Sequence, residues 1–307
     1  MTAAITAFVF PGQGSQRTGM LAALPHNEWL DALLERATTT SGLDLSTIAG
    51  AGPDSALADT RAAQPLLYLA GLGWARALEA SGVHPAYVAG HSLGELTALA
   101  VAGVFSAEAG LDLVCERARI MAESAESVPG TMAAVLGMPR ETVLDILEGA
   151  SGVWVANDNS PLQVVITGTH EGIQWASGAL LASGARRVLP LSVAGPFHSP
   201  LMADAAQAFG ALVAGTPLVD ASIPVIQNTV PTPATDAEMI RERLLGQMTA
   251  PVRWTETMAA LTDAGVARVV ECGTGSVLTG LARTVEGLKG YSVEVEGVDR
   301  IVEVIGA

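Results

Sequence analysis

Ser92 lies in the pentapeptide Gly90-His91-Ser92-Leu93-Gly94, which fits the pattern G-x-S-x-G of a nucleophilic serine on a sharp strand-to-helix turn. The short, partly apolar stretch 86–89 precedes it, and residues 95–102 read as a helix behind it. Such a turn thrusts the hydroxyl clear of the backbone, and the glycines allow it without side-chain clashes. The amide of Leu93, at the helix start, points where an oxyanion would develop. A second turn, Phe10-Pro11-Gly12-Gln13-Gly14-Ser15-Gln16, follows the apolar strand 5–10 and exposes further backbone amides, suited to an oxyanion or a phosphate. Its glycines lack the spacing of a P-loop or a dinucleotide fingerprint, and no Gly-Lys-Ser/Thr follows, which argues against nucleotide binding.

A nucleophilic serine needs a base, and the chain offers five histidines. His91 adjoins Ser92, so its side chain leaves the turn in another direction and packs beside the elbow or bonds nearby backbone. His26 and His84 sit in proline-marked polar loops, and His170 at a helix start; all three read as surface residues. His198 lies in Ala194-Gly195-Pro196-Phe197-His198-Ser199-Pro200, a Gly/Pro-structured loop after an apolar run. From the residues alone it reads equally as the base or as a structural histidine. An orienting acid should fall between Ser92 and His198. Asp112, Asp145 and Asp158 are available, yet none has a convincing loop context. Either that group is invisible to sequence or it is a backbone carbonyl.

Strand and helix signals alternate through the first 127 residues: a strand at 5–10, helices at 29–37 and 64–80, the Ser92 elbow, and a helix at 107–123. Residues 124–130 form a boundary. Then follow a strand at 132–137, a helix at 140–148, strands at 152–156 and 163–168, a helix at 171–183 and a strand at 187–191. That β-α-β-β-α-β order is ferredoxin-like. The chain then resumes with His198, a strand at 223–226, a helix at 237–247, a strand at 267–271 and a helix after Gly275. The expected fold is therefore α/β: a larger α/β-hydrolase-like body with a mostly parallel sheet (1–127 and 192–307) and an inserted ferredoxin-like α+β subdomain (128–191). The site would lie in the cleft between them.

The 307 residues are 50% hydrophobic and 15% charged, enough apolar material for a sizeable core. No run of about 18 apolar residues marks a membrane span. Residues 1–5 lack a basic leader and run into a strand, so no signal peptide is expected and a cytoplasmic location is. Cys115 and Cys272 fall in apolar contexts and read as reduced core residues, and no His/Cys/Asp cluster has metal spacing. A net charge of −15 argues against nucleic-acid partners.

Several blocks together carry a resemblance: Phe10 to Gln16; Gly90 to Glu95; Arg117 with Met121; Asn157 to Gly168; Phe197 to Met202; Gln247 to Trp254; and Gly273 to Leu278. In this order and spacing the chain resembles the malonyl-CoA:acyl-carrier-protein transacylases and the related acyltransferase domains of polyketide synthases, from about Ala7 to Arg283. The resemblance implies malonyl transfer from malonyl-CoA to an acyl carrier protein by a ping-pong route through a malonyl-serine, without cofactor, by a monomer. It implies Ser92 as nucleophile, His198 as base oriented by the main-chain carbonyl of Gln247, and an oxyanion hole from the amides of Gln13 and Leu93. It implies a substrate-binding set of Arg117, Phe197, His91, Asn159, Gln163 and Arg187.

Within that set Arg117 would hold the malonyl carboxylate, where the residues alone give a helix-surface arginine. Phe197 would limit bulk at the acyl α-carbon. Asn159, Gln163 and the pair Arg186-Arg187 would meet CoA, where the residues alone leave the arginines solvated at a strand start. Departures are small: Ala118 stands where glycine often follows the arginine, and Pro196 where alanine is common. Fatty-acid synthesis, a free-standing polyketide acyltransferase and the acyltransferase subunit of a malonate decarboxylase all stay open as settings. So do two readings of another class, a serine hydrolase or thioesterase and a non-catalytic carrier-binding module.

Overall fold

The computed structural model describes residues 4–306. Met1, Thr2 and Ala3, expected to lead into the first strand without a leader, and Ala307, the last residue of the expected body, lie outside the described residues.

Among the described residues, ten strands form two five-stranded sheets. In chain order they are β1 (Ile5–Phe10), β2 (Tyr87–Gly90), β3 (Thr131–Leu136), β4 (Val153–Ser160), β5 (Gln163–Gly168), β6 (Arg187–Pro190), β7 (Val225–Ile226), β8 (Val252–Arg253), β9 (Val266–Glu271) and β10 (Lys289–Ser292). The first sheet has the order β10-β9-β1-β2-β7, and every pairing in it is parallel. β1 is central and buried on both faces, which explains its unbroken apolar run Ala7-Phe8-Val9-Phe10. Phe8 and Phe10 face a core shared with the helices Thr60–Ala80 and Ala107–Ser127. Ala7 and Val9 face the opposite layer, where Trp254, Met258 and Leu278 pack. Helices thus cover both faces of a parallel sheet, an α/β architecture.

The second sheet has the order β6-β3-β5-β4-β8. Its first three pairings are antiparallel, and β8 joins β4 in parallel. The helices Arg140–Leu147 and His170–Ala182 share a separate core with this sheet, built on Val135, Val164 and Ile166.

Most differences from the expected elements lie at ends and in short pieces. The helix expected at 64–80 begins at Thr60, where Asp59 caps it through the amide of Arg61. The strand expected at 152–156 continues to Ser160 through the polar run Asn157-Asp158-Asn159, because β5 pairs Asn157, Asp158 and Ser160 on one edge and β8 pairs Asn157 and Asp158 on the other. β8 and β7 are two residues long, too short for a hydrophobic period to show. No helix of the described residues is long and apolar enough to cross a membrane.

The register of β1 and β2 sets the position of the site. Phe10 stands opposite Gly90, so both strands end level and their loops leave side by side. β9 lies on the other side of β1, so these loops emerge at the carboxyl ends of the strands where the chain order switches. The loops touch: the His91 amide donates to Phe10 O at 2.9 Å. A Cβ on Gly94 would overlap the Phe10 carbonyl, and one on Gly90 would overlap the backbone of Gly94. Gly90→Ala should therefore destabilise the fold by about 1–3 kcal/mol, since only backbone can give way. Gly178→Ala, on a helix face with nothing within 4 Å, should instead stabilise by roughly 0.5–1 kcal/mol. Urea denaturation of the two variants reads both signs.

Candidate active site

Ser92 and His198 are the only non-glycine residues with positive φ among the described residues, at 51° and 57°. That backbone is strained for a side-chain-bearing residue and aims each group out of its loop. The two meet: Ser92 Oγ lies 2.8 Å from His198 Nε2. On the far side of the ring, Nδ1 lies 3.1 Å from both Gln247 O and Ala250 O. A carbonyl only accepts, so the proton belongs on Nδ1 and the Nε2 lone pair is left to accept from the serine hydroxyl. Burial, with the Arg117 charge and His91 adding to it, pushes the His198 pKa down to about 3, so the ring is neutral at neutral pH.

No carboxylate of the described residues completes a triad. Asp112 pairs with Arg36, Asp158 accepts from Thr255 and faces Arg140, and Asp145 is exposed. The missing acid is thus accounted for by two carbonyls after the helix Ala237–Leu245.

The strained elbow is held from both sides. The Ser92 amide donates to Asn228 Oδ1 at 2.7 Å, and Asn228 Nδ2 donates to Gly90 O at 2.6 Å. Gln247 Nε2 donates to Ser92 O at 3.0 Å. Asn228 is itself fixed by Glu95 Oε2, which accepts from its amide at 2.7 Å. Glu95 is 0% exposed, and burial raises its pKa to about 7. The amides of Gln13 and Leu93 donate to nothing in the protein among the described residues, and both residues line the cavity at Ser92. Two free N–H groups flanking a serine can hold an oxyanion.

Arg117 is 1% exposed, not a helix-surface residue. Helical spacing places it with Leu113, Val114 and Met121 on the inner face, while Glu116, Arg119 and Glu123 pair outside. Its guanidinium donates from Nη1 to Gln64 Oε1 at 2.8 Å, and from Nε and Nη2 to Gln247 Oε1 at 3.2 and 3.0 Å. Nη2 also lies 3.3 Å from Ser92 Oγ. Burial lowers its pKa to about 10, which leaves it cationic at neutral pH.

Phe197 is buried and lines the same cavity, with Met132 of β3 and Asn157 of β4 from the second sheet. The cavity therefore lies between elements of the two sheets. His91 packs beside the elbow, but its ring bonds a side chain rather than backbone: Nε2 donates to Asn159 Oδ1 at 2.8 Å, and the ring tilts against Trp254. Asn159 is thus engaged with His91, and neither it, Gln163 nor Arg187 lines the cavity at Ser92. Arg187 is exposed on β6. Sequence reasoning missed Gln64, Asn157, Asn228 and Ala250. Gln64 did leave a trace, as a lone amide in the apolar run Ala62-Ala63-Gln64-Pro65-Leu66. No cluster of metal-ligating side chains occurs among the described residues.

The acyl transferase domain family matches residues 7–299. A malonyl CoA-acyl carrier protein transacylase of Synechocystis sp. is 40% identical over 279 residues, covering 91% of this chain and 92% of that protein. A polyketide biosynthesis malonyl CoA-acyl carrier protein transacylase of Bacillus velezensis is 38% identical over 285 residues, covering 91% and 96%. Among solved structures, a malonyl-transacylase in complex with its type II polyketide acyl-carrier protein superposes with a TM-score of 0.91 at 36% identity, covering 99% of this chain and all of that one. With a paired serine and histidine and likeness along nearly its whole length, the chain belongs to the malonyl-CoA:acyl-carrier-protein transacylase family of acyl transferase domains.

Proposed function

We propose that the protein moves a malonyl group from malonyl-CoA to the phosphopantetheine thiol of an acyl carrier protein through an ester on Ser92. The observation that carries this is the buried cation beside the nucleophile: Arg117 Nη2 reaches Ser92 Oγ, so an acyl chain on that oxygen meets a guanidinium. A carboxylate is the complementary end group, held by parallel charge-assisted hydrogen bonds.

The geometry supports the following steps. Ser92 Oγ attacks the thioester carbonyl carbon while His198 Nε2 takes its proton. The carbonyl oxygen becomes the oxyanion and accepts from the amides of Gln13 and Leu93. The C–S bond then breaks, the sulfur takes the proton from His198, and free CoA departs. The carrier thiol attacks the ester in turn, its proton passes to His198, and Ser92 leaves as the alcohol. Every step balances on two thioesters and these side chains, so the reading assigns no cofactor. Phe197 bounds the space at the acyl α-carbon. The names of the relatives and the partner in the solved complex support the same donor and acceptor.

We also infer that the chain divides as a hydrolase-like body, 1–127 and 192–307, with residues 128–191 inserted as a ferredoxin-like unit. The antiparallel order β6-β3-β5-β4, with its two covering helices, supports this. β8, from outside those bounds, extends the inserted sheet by one strand.

Incubation with malonyl-CoA should add one malonyl mass to Ser92, and carrier protein should remove it as malonyl-carrier, both read by intact mass. Loss of the label to water at the same rate without carrier would make the protein a thioesterase. Ser92→Ala should form no adduct yet keep its melting temperature, because the hydroxyl contributes little packing. Arg117→Ala should weaken malonyl loading by roughly 30-fold or more and gain acetyl relative to malonyl in a CoA competition. A native preference in that variant would remove the carboxylate role. Phe197→Ser should raise the methylmalonyl/malonyl ratio of kcat/KM by about 10-fold or more, the range of one pocket methyl; an unchanged ratio would place the steric limit elsewhere.

A further inference from the structure

Several exposed arginines, Arg36, Arg61, Arg119 and Arg300 among them, hold a carboxylate. The buried Arg117 does not. Among the described residues it has no carboxylate within ion-pair distance, although burial is where a charge most needs one. Its protein acceptors are two amide oxygens and one hydroxyl. Glu95 is the nearby buried acid, and its oxygens are taken by the Asn228 amide and Gln227 Nε2. Raised toward neutrality by burial, it compensates Arg117 only in part.

The orientation of each amide is fixed by a group that cannot donate. Gln64 Nε2 lies 3.3 Å from Met121 Sδ, a thioether, so Gln64 Oε1 must face Arg117. Gln247 Nε2 donates to the Ser92 carbonyl, so Gln247 Oε1 must face it too. The two glutamines hold the guanidinium plane without offering it a charge. They also leave donors over. Of the five N–H groups of an arginine, Gln247 takes two and Gln64 one; one remains free on Nη1, and one on Nη2 is only loosely held by Ser92 Oγ.

We propose that Gln64 is a specificity-determining residue: together with Gln247 it clamps Arg117 through neutral oxygens, so that the cation is not fully compensated until an acyl carboxylate arrives. Gln64 acts through Arg117 and is a positioning residue, 1% exposed on the helix Thr60–Ala80. The inference rests on the assignment of Arg117 as the acyl-carboxylate partner. It adds that the selectivity comes from what the clamp lacks. A glutamate at position 64 would hold the guanidinium as glutamine does and would cancel its charge, so a malonyl carboxylate would enter beside a like charge; at position 247 it would cancel the charge too, but at the loss of the Nε2 donor to Ser92 O.

The test is a competition between malonyl-CoA and acetyl-CoA, read as the acyl mass on Ser92, with melting temperatures as a check on folding. Gln64→Glu, nearly the same size, should lower the malonyl/acetyl ratio roughly 30-fold or more. Gln247→Glu should shift it the same way by an independent route. Gln64→Met, which removes the acceptor without adding charge, should lower the ratio less than Gln64→Glu does, because it loses a hydrogen bond to Arg117 but brings no like charge. The inference is overturned if Gln64→Glu keeps the native ratio, if Gln64→Met moves it as far as Gln64→Glu, or if Gln64→Glu loses both acyl groups equally. Arg117→Ala separates the two readings. If it keeps the preference for malonyl, the carboxylate role of Arg117 fails; if it loses the preference while the glutamate variants retain it, only the role of the neutral clamp fails.

Discussion

The conformation of Ser92 is the constraint on which the site depends. A non-glycine residue at φ 51° costs about 1–3 kcal/mol and persists only where its surroundings over-determine it. Here both flanking peptide groups are taken: Asn228 accepts from the amide and Gln247 donates to the carbonyl. Asn228 can do so because β7 pairs Ile226 with Ala89, which brings the residues after β7 level with the end of β2. Glu95, in the first turn of the helix that follows the serine, closes the loop by accepting from the Asn228 amide. The strain is thus carried by the helix and strand ends around the serine rather than by its own turn. Gln247 serves three groups at once, through its carbonyl to His198 and its amide to Arg117 and Ser92. Ser92, His198 and Arg117 are therefore positioned by one residue, and none of them can shift alone.

The parts of this arrangement legible in sequence are those with local signatures. β1 and β5 run at the expected 5–10 and 163–168, because an apolar run bounded by glycine or polar turns fixes both ends. The elbow is legible because its geometry demands glycines at fixed offsets, and the close approach of Gly90 and Gly94 to backbone supplies the reason. His198 needed the resemblance, since a histidine in a Gly/Pro loop has no sequence mark that distinguishes base from structural residue.

Gln64 and Asn228 stayed hidden for a different reason. Each acts across more than fifty residues of chain, on Arg117 and on Ser92, and neither spacing has a period. Arg117 had a signal that went against its polar neighbours. Glu116 and Arg119 suggested a surface, while the three-and-four spacing to Leu113, Val114 and Met121 pointed inward. Periodicity was the better guide than local polarity, because a helix turns neighbouring residues through about 100°.

The absence of a triad acid and the neutrality of the clamp around Arg117 are one electrostatic choice. A carboxylate behind His198 would stabilise the protonated ring, as in a Ser-His-Asp site, but it would also place a negative charge close to a guanidinium that already bridges Gln247 and Ser92. Carbonyl oxygens fix the tautomer equally well and add no net charge. The consequence is a His198 ring that resists protonation, with burial and the Arg117 cation acting in the same direction. A weak base suits a site in which the proton rests on it only between attack and departure of a thiol, whose sulfur needs that proton less than an amine would. In the proposed reaction the anion arriving with the acyl group would pair with Arg117 and offset the cation's share of the shift on His198, while burial, the larger cause, would stay. On this view the substrate completes the electrostatics of the base as well as filling the pocket, and an acyl group without a carboxylate would leave His198 in its most weakly basic state.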